Sequence, residues 1–266
     1  MTQAERRLYL IRSLLNEKTE YQSLNVPRDA GEQRKLLRSL MNVRMPKVAD
    51  EAILRVQDEY LQQELADEGV TDLDDLRPVS GDLYLWQGDI TRLKCGAIVN
   101  AANSGMTGCY IPCHACIDNC IHTFAGVQLR QDCAALMAEQ GHEEPTGQAK
   151  ITKAYNLPCD YVLHTVGPIV SGRVTREDER LLASCYRSCL ELAEKNSVRS
   201  IAFCCISTGV FHFPNERAAE IAVETVRRCK VETGSKIKVV FNVFKDLDKT
   251  IYERLLGANC APAARA

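Results

Sequence analysis

The sequence predicts an α/β fold with a largely parallel or mixed central sheet, preceded by a helical extension, and two observations carry that prediction. Apolar residues recur three or four apart through the first 75 or so positions, which is the period of an amphipathic helix. From about residue 80, short apolar, β-branched runs alternate with helical stretches, the pattern of strands joined through crossover helices.

The elements follow in order. ERRLYLIRSLL and DEAILRVQDEYLQQEL are helical, separated by breaks at Pro27-Arg28-Asp29-Ala30-Gly31 and Met45-Pro46. This segment holds no nucleophile and no cluster of metal donors, so it reads as an extension packed on the main domain, with partner docking as the lesser alternative. GDLYLWQGD and AIVNAAN are strands, and the stretch from Asp118 (DNCIHTFAGVQLRQDCAALMAEQ) is one long helix. AKITKAY and YVLHTV are strands, followed by a helix in REDERLLASCYRSCLELAEKN and a strand in SIAFCCIS. A helix after Pro214, a strand in KIKVVFNVF and a helix from Leu247 to Leu256 complete the chain.

Composition bounds the function. Of 266 residues, 45% are apolar and 26% charged, as in a soluble packed protein. A net charge of -2 argues against a general nucleic-acid or membrane-surface binder. No apolar run approaches the roughly 20 residues that span a bilayer, and the N-terminus lacks a secretory core, so a cytoplasmic location is expected. The 13 cysteines are odd in number and scattered through strands and helices, a poor disulfide framework. Most, such as Cys204 and Cys205, read as small buried hydrophobes. Cys109, Cys113, Cys116 and Cys120 crowd together with His114 and His122 and require a separate explanation.

In open α/β sheets, ligands bind in loops beyond the carboxyl ends of strands. Three such loops stand out: Gln87 to Ile90, Asn100 to Asn119, and Ser207 to Pro214. Their sequences, WQGDITRLKCGAIVNAAN, GQAKITKAYNLPCDYVLHTVGP and CISTGVFHFP, resemble in order the macrodomain family and its MacroD-type branch, over about residues 80 to 257. The resemblance implies a three-layer α/β/α macrodomain with a mixed central sheet over residues 76–266, after a helical extension over residues 1–75. It also implies an ADP-ribose pocket. Asp89 would accept from the adenine amino group with the Ile90 backbone beside it, and Asn103 would contact the distal ribose. The Ser207-Thr208-Gly209-Val210-Phe211 loop would cradle the diphosphate.

The chemistry of these positions agrees. A diphosphate needs backbone N–H donors, and Gly209 lets the main chain approach closely. A carboxylate only accepts, which suits an exocyclic amine. Taken singly, each motif has a plainer reading: S-T-G-V is common in turns, and Asn103 can serve its own loop.

MacroD-type members follow the NAAN motif with a glycine-rich loop, whereas here the segment reads NSGMTGCYIPCHACIDNCIHTFAG. Its end, Ile117-Asp118, Ile121-His122 and Ala125-Gly126, keeps the family pattern. The longer loop resembles the zinc-containing macrodomain subfamily, whose C-x4-H-x-C signature falls on Cys109, His114 and Cys116. The resemblance implies one zinc ion per chain and a ligand-binding set that includes Ile117, Asp118 and Asn119. Asp118 and Asn103 would be the catalytic residues.

Donor chemistry bears on the same choice. Pro112 biases Ile111 toward extended backbone, where residues two apart share a side, so His114 and Cys116 face one ion while Cys113 points away. Two thiolates and a neutral imidazole balance Zn²⁺ and leave a fourth position open. Without the resemblance, a structural zinc with Cys113 or Cys120 as fourth ligand is the default, and a redox thiol cluster is a distant third. Asp118 has a plain alternative as an N-cap. His122 reads as a packed or supporting histidine, His164 as a core residue, His142 as exposed, and His212 as a weak catalytic candidate bordering the pocket.

The implied activity is zinc-dependent removal of mono-ADP-ribose from modified proteins, with Asp118 orienting or deprotonating the attacking water. Zinc would polarise a ribose hydroxyl or lower the pKa of a bound water. Two other readings stay open: a non-catalytic ADP-ribose reader with structural zinc, and an O-acetyl-ADP-ribose deacetylase. The subfamily context implies a lipoyl-carrier protein, modified by a sirtuin-type ADP-ribosyltransferase, as partner. A monomer is the plain expectation.

Overall fold

The computed structural model describes residues 1–257, so the last part of the expected 76–266 domain, residues 258–266, lies outside the described residues. The chain forms two compact units. The first comprises Met1–Val70, Gly105–Glu143 and Ala154–Leu157; the second comprises Thr71–Ser104, Glu144–Lys153 and the chain from Pro158 onward.

The first unit is helical. Helix α1 (Gln3–Asn16) starts at a capping box, in which the Thr2 hydroxyl accepts from Glu5 N and the Glu5 carboxylate accepts from Thr2 N. Helices α2 (Ala30–Val43) and α3 (Glu51–Glu68) begin at Asp29 and Asp50, whose carboxylates accept from Glu32 N and Ala52 N. Helix α1 packs on both others. Its Leu10, Ile11 and Leu14 meet Leu37, Leu40 and Met41 of α2 and Val56, Tyr60 and Leu61 of α3 in one buried cluster. Full burial of each such aliphatic side chain contributes roughly 1.5–3 kcal/mol.

Two more helices complete this unit, α4 (Ile117–Ala125) and α5 (Val127–Gln140). The single long helix expected from Asp118 is therefore broken. Gly126 sits at φ 102 between the two, a conformation an α-helix does not contain. The Gln57 side chain caps the break, accepting from Val127 N at 2.9 Å.

The second unit is built on a six-stranded sheet. Its strands are β2 (Leu83–Gln87), β4 (Ala97–Ala102), β5 (Ala149–Lys153), β6 (Tyr161–Val166), β7 (Ser200–Phe203) and β8 (Lys238–Val243). Their order is β2-β8-β7-β4-β6-β5, with every neighbour parallel except the antiparallel edge pair β5–β6. The inner strands β4, β7 and β8 are near-continuous apolar runs and are buried along most of their length, as parallel strands covered on both faces require. Short strands β1 (Thr71–Asp72) and β3 (Leu93–Lys94) form a separate parallel pair.

Helices α6 (Arg176–Lys195), α7 (Asn215–Thr233) and α8 (Asp246–Gly257) belong to this unit. Helix α6 lies against β5, β6 and α7, and α8 against β2, β8 and α7. Thr175 and Asp178 form a capping box that starts α6. Strand β7 ends at Phe203, four residues before the expected end of SIAFCCIS, because the chain turns there into the loop that leads to α7. Since β2, β4, β7 and β8 run parallel, their carboxyl ends share one edge of the sheet.

Candidate functional site

At that edge of the second unit stand the loops holding Asp89, Asn103 and Ser207–Phe211. Asp89 is half-buried and starts a short 3-10 turn over Ile90–Arg92. Its Oδ1 accepts from Thr91 N at 2.9 Å and Thr91 Oγ1 at 2.7 Å, which fixes the carboxylate and leaves Oδ2 for an outside donor. The preceding Gly88 has no room for a side chain, since a Cβ there would sit 2.4 Å from the Trp86 ring. Asn242 on β8 steadies this loop by donating to Gly88 O at 2.9 Å.

The Ser207–Phe211 loop is closed at its base. Phe213 N donates to Ser207 O at 3.0 Å, and Thr208 N and Oγ1 both donate to Cys205 O. Ser207 holds the left-handed region at φ 64, uncommon for a residue with a side chain. The N–H groups of Gly209, Val210 and Phe211 have no backbone acceptor among the described residues. Three successive free amides in a turn make an anion-binding concavity. The Ser207 hydroxyl, buried and without a partner among the described residues, adds a further unused polar group.

The histidines of this unit separate cleanly. His164 is fully buried on β6, with Nδ1 3.1 Å from Asn100 Nδ2 and Nε2 2.9 Å from Thr152 Oγ1. Burial pushes its pKa from 6.5 down to about 3, so the ring is neutral. His212 is exposed at φ 58 and donates its N–H to Gly209 O.

The first unit carries the Cys and His residues of the 109–122 segment. The donor atoms of Cys109, His114 and Cys116 lie within 4.8 Å of one another, with Cys109 Sγ 3.5 Å from His114 Nδ1. The backbone achieves this differently from the extended stretch expected after Pro112. His114 N donates to Ile111 O at 3.2 Å, and Cys113 lies at φ 53, so Ile111–His114 is a tight turn. Cys113 is swung out of the cluster: its Sγ lies 3.2 Å from Ser39 Oγ and 3.4 Å from Lys35 O, on α2. Cys120 also stands outside the three-donor group and takes a contact from Arg38 Nη2 at 3.5 Å.

Cys116, not Asp118, is the N-cap of α4, its Sγ accepting from Asn119 N at 3.4 Å. Burial pushes the Cys116 thiol up to about 12, with Cys109 and Asp118 adding to the rise and the Asn119 amide opposing it. A cation taking this sulfur as thiolate would displace that proton. Asn119 is fully buried and spends its side chain inside the loop, donating to Cys109 O and Ile111 O and accepting from Arg38. Ile117 opens the helix, half-buried. Asp118 follows it and is buried, with Oδ1 3.7 Å from His122 Nε2 one turn on. The buried His122 ring is boxed in by Gly108, where a Cβ would lie 2.6 Å from it.

Comparison with known proteins settles the family. A protein-ADP-ribose hydrolase from Treponema medium is 62% identical over 260 residues, covering 96% of this chain and all of the relative. The chain belongs to the macrodomain family. The Macro domain family model matches residues 99–222 of it. A protein-ADP-ribose hydrolase from Staphylococcus aureus (strain MSSA476) is 50% identical over 247 residues, 92% of each chain. Among solved structures, a Trypanosoma brucei macrodomain in complex with ADP-ribose superposes with a TM-score of 0.65 at 32% identity, over 83% of this chain and 95% of that one. An Oceanobacillus iheyensis macrodomain with ADP gives 0.61 at 34% identity, over 69% and 94%.

The fold class read from the sequence is thus that of this macrodomain: a mixed central sheet flanked by helices, with a helical N-terminal segment. No helix among the described residues is long and apolar enough to cross a membrane. Sequence reasoning missed the residues that hold the loops in place. Arg38, Asn42, Arg130 and Asn242 act through backbone groups far away in the chain, and no local pattern advertises them.

Proposed function

We propose that this macrodomain is a zinc-dependent hydrolase that removes mono-ADP-ribose from modified proteins. The observation that carries the reading is the gathering of Cys109, His114 and Cys116 into one donor cluster, two residues before the buried Asp118. The hydrolase relatives at 50–62% identity support the activity.

The donor set fits zinc. Two sulfurs and one imidazole nitrogen suit it, and three protein donors leave a coordination position for substrate or water. When bound, the ion supplies Lewis acidity at the sugar end of the substrate. The chain's own groups do the rest. In this reading Asp89 and the Ile90 backbone hold the adenine, and the free amides of Gly209, Val210 and Phe211, with Ser207 and Thr208, hold the diphosphate. Asn103 and Ile117 place the distal ribose, and the buried Asn119 serves the site from behind, holding the Cys109–Ile111 backbone. Asp118 orients or deprotonates the water that attacks the anomeric carbon, as the bond to the protein side chain breaks. Asp118 is buried, with its carboxylate 3.7 Å from the His122 ring.

The same reading extends to context. Residues 1–75 are the helical extension and 76–266 the macrodomain proper. The substrate class is mono-ADP-ribosylated protein, and the subfamily resemblance puts a lipoyl-carrier protein modified by a sirtuin-type ADP-ribosyltransferase first among candidates. A cytoplasmic location is consistent with the twelve described cysteines forming no disulfide, and a monomer is the plain expectation.

The test is release of ADP-ribose from a mono-ADP-ribosylated protein by wild type and Cys116→Ala, with zinc measured in each. Release by wild type, lost in a folded, zinc-free variant, is the expected result. Release by zinc-free protein would remove the metal from the mechanism. Tight ADP-ribose binding without release from any substrate would make the protein a reader, and selective cleavage of O-acetyl-ADP-ribose would make it a deacetylase.

A further inference from the structure

We propose that helix α2 of the N-terminal extension is a working part of the Cys109–His114–Cys116 loop, with Arg38 and Asn42 as positioning residues that fix its donors. The inference rests on the zinc reading above and deepens it.

The loop has no regular secondary structure of its own between Gly105 and Cys116. Three donors on such a segment stay together only if the backbone between them is held from outside. Helix α2 does this at both ends of the Cys113–His114 dipeptide. The Asn42 Oδ1 accepts from Cys113 N at 2.9 Å, and Arg38 Nη2 donates to His114 O at 2.9 Å. Arg38 and Asn42 are four residues apart, so one helix face presents both. Between them Ser39 meets Cys113 Sγ, which keeps that thiol out of the cluster. The left-handed turn at Cys113 is strained for a residue with a side chain, and these bonds hold it in place.

A second tie runs through Arg130 on α5. Its Nε and Nη2 donate to Thr107 O and Cys109 O on the loop, and its guanidinium stacks over the Tyr110 ring at 4.3 Å. Its Nη1 donates to Met41 O, Asn42 O and Arg44 O at the end of α2. Those carbonyls lie in the last turn of the helix and at its C-cap, where the backbone oxygens lack intrahelical partners. One buried cation therefore joins the end of α2 to the backbone of Cys109. Both the Cys109 and the His114 donor are anchored in this way to the extension. The face of α2 that carries Leu37, Leu40 and Met41 is fixed in the helical core, so the polar face is a rigid support.

Groups that orient metal ligands from behind typically change metal affinity 10- to 100-fold when removed. The experiment measures zinc affinity of the full-length protein by competition with a chromophoric chelator, and the absorption spectrum of the Co²⁺-loaded protein. The variants are Arg38→Met, Arg38→Lys and, as a control, Arg34→Met. Arg34 lies on the same helix, half-exposed, and pairs with Glu64 at 3.6 Å. Arg38→Met is expected to weaken zinc binding roughly 10- to 100-fold and to alter the Co²⁺ bands, Arg38→Lys to fall between, and Arg34→Met to match wild type. Wild-type affinity and spectrum in Arg38→Met overturn the inference while leaving the zinc reading intact. Failure of the wild type to bind either metal overturns both. Should Arg38→Met not fold, Arg38→Lys decides the question, since it keeps the charge but is shorter and lacks the planar guanidinium whose Nη2 meets His114 O, Asn119 Oδ1 and Cys120 Sγ.

Discussion

Cys116 Sγ accepts the backbone N–H of Asn119 at 3.4 Å, so one sulfur both starts α4 and belongs to the three-donor cluster. The two roles can be separated by substitution. Serine is a strong N-cap but a poor substitute for a thiolate on zinc, whereas alanine is neither. Cys116→Ser is expected to lose zinc and hydrolysis while its metal-free form stays as stable as metal-free wild type. Cys116→Ala should lose both metal and about 0.5–1 kcal/mol of metal-free stability. Zinc content and urea unfolding of the metal-free proteins give the answer, and stable zinc binding by both variants would remove Cys116 from the ligand set.

Asp118 is not the helix cap, so its burial requires another purpose. Replacing it with the isosteric asparagine keeps the shape and removes the charge that, in the proposed mechanism, orients or activates water. Asp118→Asn is expected to lower turnover by roughly 10²-fold or more, the scale of general base catalysis, with ADP-ribose affinity changed only a few-fold. Single-turnover hydrolysis and calorimetric titration on the same preparation separate the two. Equal losses would reduce Asp118 to a binding residue.

The strands were legible because their signal is local. AIVNAA and YVLHTV are apolar runs of strand length bounded by turn residues, and β4 and β6 fall on them. The grouping of Cys109, His114 and Cys116 was legible by residue type, though the backbone that brings them together is a turn at Cys113 rather than an extended strand. What the sequence hid is whatever acts at a distance. Arg38 and His114 are 76 residues apart, and an arginine in an amphipathic helix looks like any solvated one. The break at Gly126 was hidden for a different reason. A glycine inside a helical pattern is tolerated, and only the fold decides whether it is used at positive φ.

That use of Gly126 has a measurable cost of substitution. At φ 102 a side chain is strained, and a Cβ there would lie 2.5 Å from Gln57 Nε2. Gln57 is not free to retreat: its Oε1 accepts from Val127 N, and its Nε2 donates to Gln128 Oε1. Gly126→Ala is therefore expected to destabilise the protein by about 1–3 kcal/mol, although alanine has the higher helix propensity. Denaturant unfolding measures it. A neutral or stabilising substitution would mean that α4 and α5 can join into one helix.

The last prediction concerns pH and the buried ring of His164. In the unfolded chain this histidine takes a proton near its ordinary pKa of 6.5, but burial holds the native ring neutral down to about pH 3. Between those values the unfolded state binds more protons than the native state. Stability is therefore full above pH 6.5 and falls as the pH drops below it, by about 1.4 kcal/mol for each pH unit. The carboxylates add their own acid dependence, so the comparison must be with a variant lacking only the imidazole. His164→Gln offers an acceptor toward Asn100 Nδ2 and a donor toward Thr152 Oγ1, two of the contacts the ring now makes. From pH 7.5 to pH 5.0, urea unfolding should show wild type losing about 2 kcal/mol more than His164→Gln. Equal losses would mean that the native protein accommodates the imidazolium, and that His164 is less sealed from solvent than its position on β6 requires.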